Sequence, residues 1–125
     1  MKDLTLILAH GEDHITEFKS GRFHNESLAK EAVAFANSRG GSIFIGIEDD
    51  GVVSGIDDKT IEERVINICR NLIEPSVLPE IFYHQHSSGK KVLEIVIPKG
   101  LFKPYQIKGQ NRFYVRVGTV SIEAS

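Results

Sequence analysis

One stretch decides how this chain folds: Asn37-Ser-Arg-Gly-Gly-Ser-Ile-Phe-Ile-Gly-Ile-Glu-Asp-Asp-Gly51. Gly40 or Gly41 can adopt the left-handed backbone conformation that commonly ends a helix. The β-branched run over residues 43–47 is typical of a buried strand, and the Asp50-Gly51 pair is a strong hairpin signal between apolar strands. The stretch therefore predicts a helix end, a buried strand and a hairpin in direct succession.

Gly46 lies inside that predicted strand, where a glycine weakens the strand unless a neighbour needs the space of a side chain. We therefore expect another segment of backbone, or a ligand, to pass close to Gly46. Val52 and Val53 follow the turn and supply the predicted return strand.

Length and composition describe an ordinary globular chain. The sequence of 125 residues fits a single domain, residues 1–125, and its one cysteine excludes an internal disulfide. We expect no signal peptide, and no apolar stretch reaches the ~20 residues that span a bilayer. We expect a cytoplasmic domain that binds no membrane, with Cys69 packed as an inert thiol.

Charge is distributed unevenly along the chain. The net charge is -2, yet residues 1–80 carry a balance of -7 and residues 81–125 a balance of +5. The small overall charge argues against strong non-specific binding of duplex nucleic acid. The basic C-terminal part can nevertheless face phosphate groups. The alternative is that the two halves only complement each other.

Periodicity predicts two helices and several strands. Helical stripes cover residues 28–36 and 61–72. Period-two alternation predicts strands over residues 81–86 and 91–98, joined as a hairpin. The predicted order is β-α-β-β-α-β-β-β-β, an α+β fold in which two helices pack on one face of a mixed or antiparallel sheet built from hairpins. Residues 4–9 are too few for periodicity to decide between a strand and a short helix.

The last predicted hairpin pairs residues 103–108 with residues 112–117. In its second strand, Arg112, Tyr114 and Arg116 alternate with apolar residues, so these three share one face. Guanidinium groups with an aromatic ring between them suit phosphates and unpaired bases. The predicted nucleic-acid-binding surface consists of Arg112, Arg116, Lys103, Lys108, Tyr105, Tyr114, Arg22 and Arg39. The alternative is that these charges only solubilise an exposed sheet face.

Several motifs follow one another in a specific order. They are Glu17-Phe18-Lys19, the helix and glycine stop of residues 28–41, Ile45-Gly-Ile-Glu-Asp-Asp-Gly51, Lys103-Pro104-Tyr105 and Tyr114-Val-Arg-Val-Gly118. Together, over about residues 12–120, they resemble the Schlafen AlbA_2 domain, also described as the divergent AAA-4 domain of prokaryotic transcriptional regulators. The resemblance implies the N-terminal module of a longer regulator, with DNA as its expected partner and structured RNA as the other candidate.

The resemblance also implies an alternative activity. RNA-cleaving animal relatives use two glutamates five residues apart, the second within a Glu-Phe-Lys motif, and an aspartate after the central strand. Glu12, Glu17 and Asp49 match this pattern. Such carboxylates could hold Mg²⁺ or Mn²⁺, and Lys19 could stabilise charge on a phosphate. Their odd separation lets Glu12 and Glu17 converge only if the chain turns between them.

Two further functions stay open. The AAA-4 description suggests nucleotide (ATP) binding, but Gly40-Gly41-Ser42 lacks the lysine and the spacing of a phosphate-binding loop. A chain that bound no nucleic acid would instead be a protein-interaction or small-ligand module. Its exposed strand edges are compatible with a homodimer.

Overall fold

The computed structural model describes residues 4–57 and 59–124. Its elements follow in the order α1 (Leu4–His10), β1 (Thr16–Lys19), α2 (Asn25–Ala36), β2 (Gly41–Ile45), α3 (Ile61–Asn67), a π-helical turn (Ile68–Leu72), β3 (Ile73–Glu74), β4 (Glu80–Gln85), β5 (Lys91–Ile97), β6 (Gln106–Ile107), β7 (Phe113–Val117) and β8 (Val120–Ala124). The predicted α+β class is confirmed. None of the described helices is long and apolar enough to cross a membrane.

The main sheet has four strands in the order β1-β2-β5-β4. β1 and β2 are parallel and are connected through α2, whereas β5 is antiparallel to both β2 and β4. The hairpin predicted over residues 81–86 and 91–98 is confirmed as β4 and β5. The predicted return strand is reduced to one bridge between Ile47 and Val53, because the next residues turn onto the carbonyl of Gly46.

Helices cover both faces of this sheet. On one face, α2 and α3 pack against alternate residues of β2 and β5, including Ile43, Ile45 and Leu93. On the other face, Leu4 of α1 packs with Phe18 and Phe44. The two predicted helices therefore share one face, and residues 4–9 belong to a third helix on the opposite side. Cys69 is buried in the first cluster, and this burial raises the pKa of its thiol to about 12, as expected for an inert thiol.

The expected close approach to Gly46 is confirmed, and the approaching group is backbone. The N–H groups of Ser54 and Gly55 both donate to the Gly46 carbonyl at 2.9 Å. A Cβ on Gly46 would lie 3.0 Å from the carbonyl carbon of Gly55, and the φ of Gly46 is +106°. Only glycine combines this conformation with the missing side chain.

The prediction that residues 103–108 and 112–117 form a C-terminal hairpin is wrong. β6 pairs with β3, and β7 pairs with β8. The reason is Asn37, which follows α2 and forms hydrogen bonds to backbone groups of both predicted strands. Its Oδ1 accepts from the Tyr105 N–H at 2.7 Å, and its Nδ2 donates to the carbonyls of Tyr105 and Tyr114, each at 2.9 Å. A side chain between the two segments replaces the ladder that would have joined them.

Candidate nucleic-acid interface

The predicted pair Glu12 and Glu17 meets in the structure. The chain turns between them, with a bridge joining Asp13 to Thr16, and Glu12 Oε2 accepts a hydrogen bond from the Phe18 N–H at 2.8 Å. Glu17 lies beside Glu31 of α2, because both carboxylates contact the same nitrogen of Arg116. Besides burial, both Glu31 and Glu12 contribute to raising the pKa of Glu17. Three carboxyl groups therefore form one cluster. Sequence reasoning missed Glu31, because it lies off the apolar stripe of its helix and reads as a solvent-facing residue.

Arg116 fills this carboxylate cluster. Its Nη1 lies 2.8 Å from Glu17 Oε1 and 3.1 Å from Glu31 Oε2, while its Nη2 donates to the carbonyls of Asp13 and Thr16 at 3.1 and 3.2 Å. Only 1% of the Arg116 side chain is exposed. The prediction that Arg116 lies on a nucleic-acid-binding surface is therefore wrong. The strand alternates as predicted, but at Arg116 the polar side chain points into the protein, where carboxylates neutralise it.

The cluster changes the titration of Glu17. Burial, together with the neighbouring Glu31, raises the pKa of Glu17 to about 9, and Arg116 offsets this only in part. Two carboxyl groups this close cannot both ionise at neutral pH without a large electrostatic cost. Glu17 therefore retains its proton at neutral pH, which reduces the repulsion between the two groups.

The metal site implied by the resemblance does not fit this geometry. A divalent cation needs accessible carboxylate oxygens, whereas Glu17 and Glu31 share Arg116 and Glu12 accepts a backbone N–H. Asp49, the third implied ligand, is exposed in the turn after β2. Across residues 4–57 and 59–124, no three His, Cys, Asp or Glu side chains are grouped so that they could hold a metal ion.

The remaining residue of the implied catalytic set is also engaged within the protein. Lys19 Nζ donates to Ser27 Oγ at 2.7 Å and lies 4.0 Å from Glu17 Oε2. The lysine therefore links β1 to the first turn of α2. In this arrangement its ammonium group stabilises the packing of the two elements.

Arg22 lies in a separate polar cleft of about 480 Å³, beyond the ends of the parallel strands β1 and β2. Two carboxylates, Glu48 and Asp57, share this cleft. Ser54 Oγ donates to Glu48 Oε2 at 2.6 Å, so Glu48 rather than Asp49 is the acidic residue fixed at the end of β2. Arg22 is consequently surrounded by mixed charge and does not extend a basic surface.

The predicted aromatic residues are covered. Tyr105 is buried, which makes its prediction as an exposed stacking residue wrong. Tyr114 is half-buried, with Lys30 Nζ 5.5 Å from the centre of its ring. Arg112 and Lys108 are exposed as predicted, and Arg112 Nε lies 3.8 Å from a carboxylate oxygen of Glu123.

Three exposed cations, Arg39, Lys99 and Lys103, are carried by segments that pack together where α2 ends. Lys103 Nζ lies 3.5 Å from the carbonyl oxygen of Ser38, the residue before Arg39. A Cβ on Gly40 would lie 2.8 Å from the backbone nitrogen of Lys99, so the loop that carries both lysines packs directly on the glycine stop.

Phe102 lies in the same loop between these lysines and is 71% exposed. We call Arg39, Lys99, Phe102 and Lys103 the basic loop surface. Sequence reasoning found Arg39 and Lys103 but missed Lys99 and Phe102. The available signal was the run Lys99-Gly-Leu-Phe-Lys103, in which two cations bracket an apolar pair. The absence of Asp and Glu from residues 95–122 strengthens this signal, because no acidic residue nearby in sequence offsets the two lysines.

Comparison with known proteins agrees with the fold and the motifs. The family model described as Schlafen, AlbA_2 matches residues 12–125. The chain belongs to the Schlafen AlbA_2 family. Membership of this family indicates a nucleic-acid-related function in general terms.

A solved structure shares the fold of this Schlafen AlbA_2 domain. The DIP2311 protein from Corynebacterium diphtheriae superposes with a TM-score of 0.68 at 21% sequence identity, over 97% of this chain and 25% of that chain. The domain thus spans about a quarter of the length of that protein. No curated protein matches the chain.

Proposed function

We propose that this Schlafen AlbA_2 domain is the DNA-binding module of a transcriptional regulator and that it contacts phosphates through the basic loop surface. The observation that carries the proposal is that the segments bearing the exposed Arg39, Lys99 and Lys103 pack together at the end of α2. Contacts between such cations and phosphate oxygens supply most of the affinity of non-specific nucleic-acid binding.

These three cations differ from the predicted Arg112 and Arg22 in what surrounds them. Arg112 lies near Glu123, and Arg22 shares its cleft with Glu48 and Asp57. Within the described part of the chain, no ion pair involves Arg39, Lys99 or Lys103. Their charge is therefore available to a polyanion.

The loop that carries the lysines is held in place before any ligand arrives. The N–H of Gly100 donates to the Ala36 carbonyl at 2.8 Å, and the N–H of Phe102 donates to the Tyr105 hydroxyl at 3.2 Å. A surface that is already ordered loses less conformational entropy on binding. This anchoring supports a binding role.

Fluorescence anisotropy with labelled duplex DNA and a hairpin RNA, measured across a salt series, tests the proposal. We expect the double variant Arg39→Glu with Lys103→Glu to weaken binding at least ~10-fold and to reduce the salt dependence by about two phosphate contacts. The matched control is Lys59→Glu with Lys91→Glu, which changes the net charge equally at two other exposed positions.

Three results would overturn the proposal or part of it. Equal losses in the two double variants would mean that only net charge matters. Absence of binding to either ligand at low salt would remove nucleic-acid binding altogether. Binding to RNA without binding to DNA would overturn the assignment to DNA and retain the surface.

A further inference from the structure

Phe102 is unusual for its combination of exposure and anchoring. Its side chain is 71% exposed, yet its own N–H donates to the Tyr105 hydroxyl. Gly100 packs on the ring of Tyr105 so closely that a Cβ there would overlap a ring carbon. Tyr105 is itself buried and fixed by Asn37. The protein therefore holds a large apolar ring in water on an ordered support, at a cost in free energy that burial would remove.

We propose that Phe102 is a stacking platform for an unpaired nucleobase, with Lys99 and Lys103 contacting phosphates on either side of it. This inference rests on the proposed nucleic-acid binding and adds to it a specific contact with single-stranded segments. Base–aromatic stacking tolerates any base, because every base has a π-face, and it acts together with cations that follow the backbone. A base within an intact duplex offers no free face to such a ring.

A second copy of the chain is the main competing occupant. Leu78 and Leu101, each 86% exposed, adjoin Phe102 around an apolar cleft of about 210 Å³. A two-fold dimer through this patch would, however, bring the cations of one copy towards the same cations of the other, since such an interface uses one surface twice. The charge of the basic loop surface therefore favours a polyanion over a second copy.

The chain contains no tryptophan, so Phe102→Trp introduces a single tryptophan, which can be excited separately from the tyrosines, at the proposed contact. The ligands are an oligothymidine strand and a blunt-ended duplex of the same length. We expect Phe102→Ala to weaken oligothymidine binding about 5- to 100-fold and to change duplex binding less than ~2-fold. We expect Phe102→Trp to retain binding, with its fluorescence quenched by the strand.

Leu101→Ala is the matched control, since Leu101 lies on the same loop, is even more exposed than Phe102 and has no π-face. An equal loss of binding in Leu101→Ala would overturn stacking in favour of general apolar contact. Unchanged oligothymidine binding in Phe102→Ala, or an unquenched Phe102→Trp, would overturn it as well.

Two outcomes separate this inference from the proposed function. If the wild-type domain binds neither ligand, both fail. If it binds both ligands and Phe102→Ala weakens neither, only the stacking platform fails. Sedimentation of the proteins without ligand tests whether a second copy of the chain occupies this surface. A wild-type dimer that Phe102→Ala converts to a monomer would assign the surface to a second copy and overturn the inference.

Discussion

Replacing Arg116 by methionine tests whether the buried cluster holds the C-terminal hairpin onto the rest of the domain. Methionine fills a similar volume and keeps contact with Phe35, whose ring centre lies 4.8 Å from the guanidinium carbon. It removes the positive charge between Glu17 and Glu31 and the donors to the carbonyls of Asp13 and Thr16 at the start of β1. The substitution therefore isolates the polar contribution of Arg116.

The expected loss is large for a single side chain. Breaking a buried ion pair by removing one partner costs about 3–5 kcal/mol, because the remaining charge is left without compensation. A domain of this size has a free energy of unfolding of about 5–15 kcal/mol, so Arg116→Met removes a substantial part of it.

Urea unfolding followed by far-ultraviolet circular dichroism measures this loss. With a slope of about 2 kcal/mol per molar urea, the midpoint should fall by roughly 2 M. Arg112→Met is the control, since Arg112 and its neighbour Glu123 are both more than half exposed and such pairs contribute about 0–1 kcal/mol. Adding Glu17→Gln and Glu31→Gln to Arg116→Met should recover at least half of the loss, because it removes the uncompensated charge.

Two results would refute this reasoning. If Arg116→Met and Arg112→Met lose equal stability, the buried cluster contributes no more than an exposed pair. If the two glutamine substitutions recover nothing, the loss arises from packing and not from uncompensated charge.

Two further predictions concern Glu17 and Gly46. The pKa of Glu17 is raised from 4.5 to about 9, so between these pH values the native state binds more protons than the unfolded state. The free energy of unfolding therefore falls as the pH rises through this range. The fall is at most ~1.4 kcal/mol per pH unit, and solvent screening makes it smaller. Glu17→Gln should flatten this decline in urea titrations at several pH values, and an unchanged slope would contradict the assignment. Gly46→Ala should cost about 2–4 kcal/mol in the same assay, since its Cβ meets the backbone of Gly55 at a positive φ. Gly89→Ala, also at positive φ but with open space around it, should cost about 1–2 kcal/mol, and equal losses would contradict a packing role for Gly46.

The centre of the fold could be predicted because its signals are local. The apolar run of β2, the glycine stop before it and the stripe of α2 each depend on residues a few positions apart. The close approach to Gly46 was predictable for the same reason, since a glycine inside a strand demands an explanation. What the sequence could not give was the identity of the approaching group, because Gly55 reaches it through a loop.

The C-terminal part was harder to predict, because its outcome depends on contacts distant in sequence. Alternation in β7 correctly separates polar from apolar residues, but periodicity does not say which face meets the protein. Arg116 faces inward because Glu17 and Glu31, 99 and 85 positions away along the sequence, supply its counter-charges. Glu31 is buried for the same reason: its polar position on α2 is covered once β7 packs there.

The residues that end α2 connect this buried architecture to the proposed surface. Asn37 holds the backbone of Tyr105 and Tyr114, and Ser38 accepts the N–H of Arg116 at 2.9 Å on its hydroxyl oxygen. The carbonyl oxygen of Ser38 lies 3.5 Å from Lys103 Nζ. The stretch that ends the helix therefore also sets where the basic loop surface lies. Because these contacts form within the domain, the cations and Phe102 are positioned by folding itself, and a nucleic-acid ligand would meet a surface that needs little further ordering.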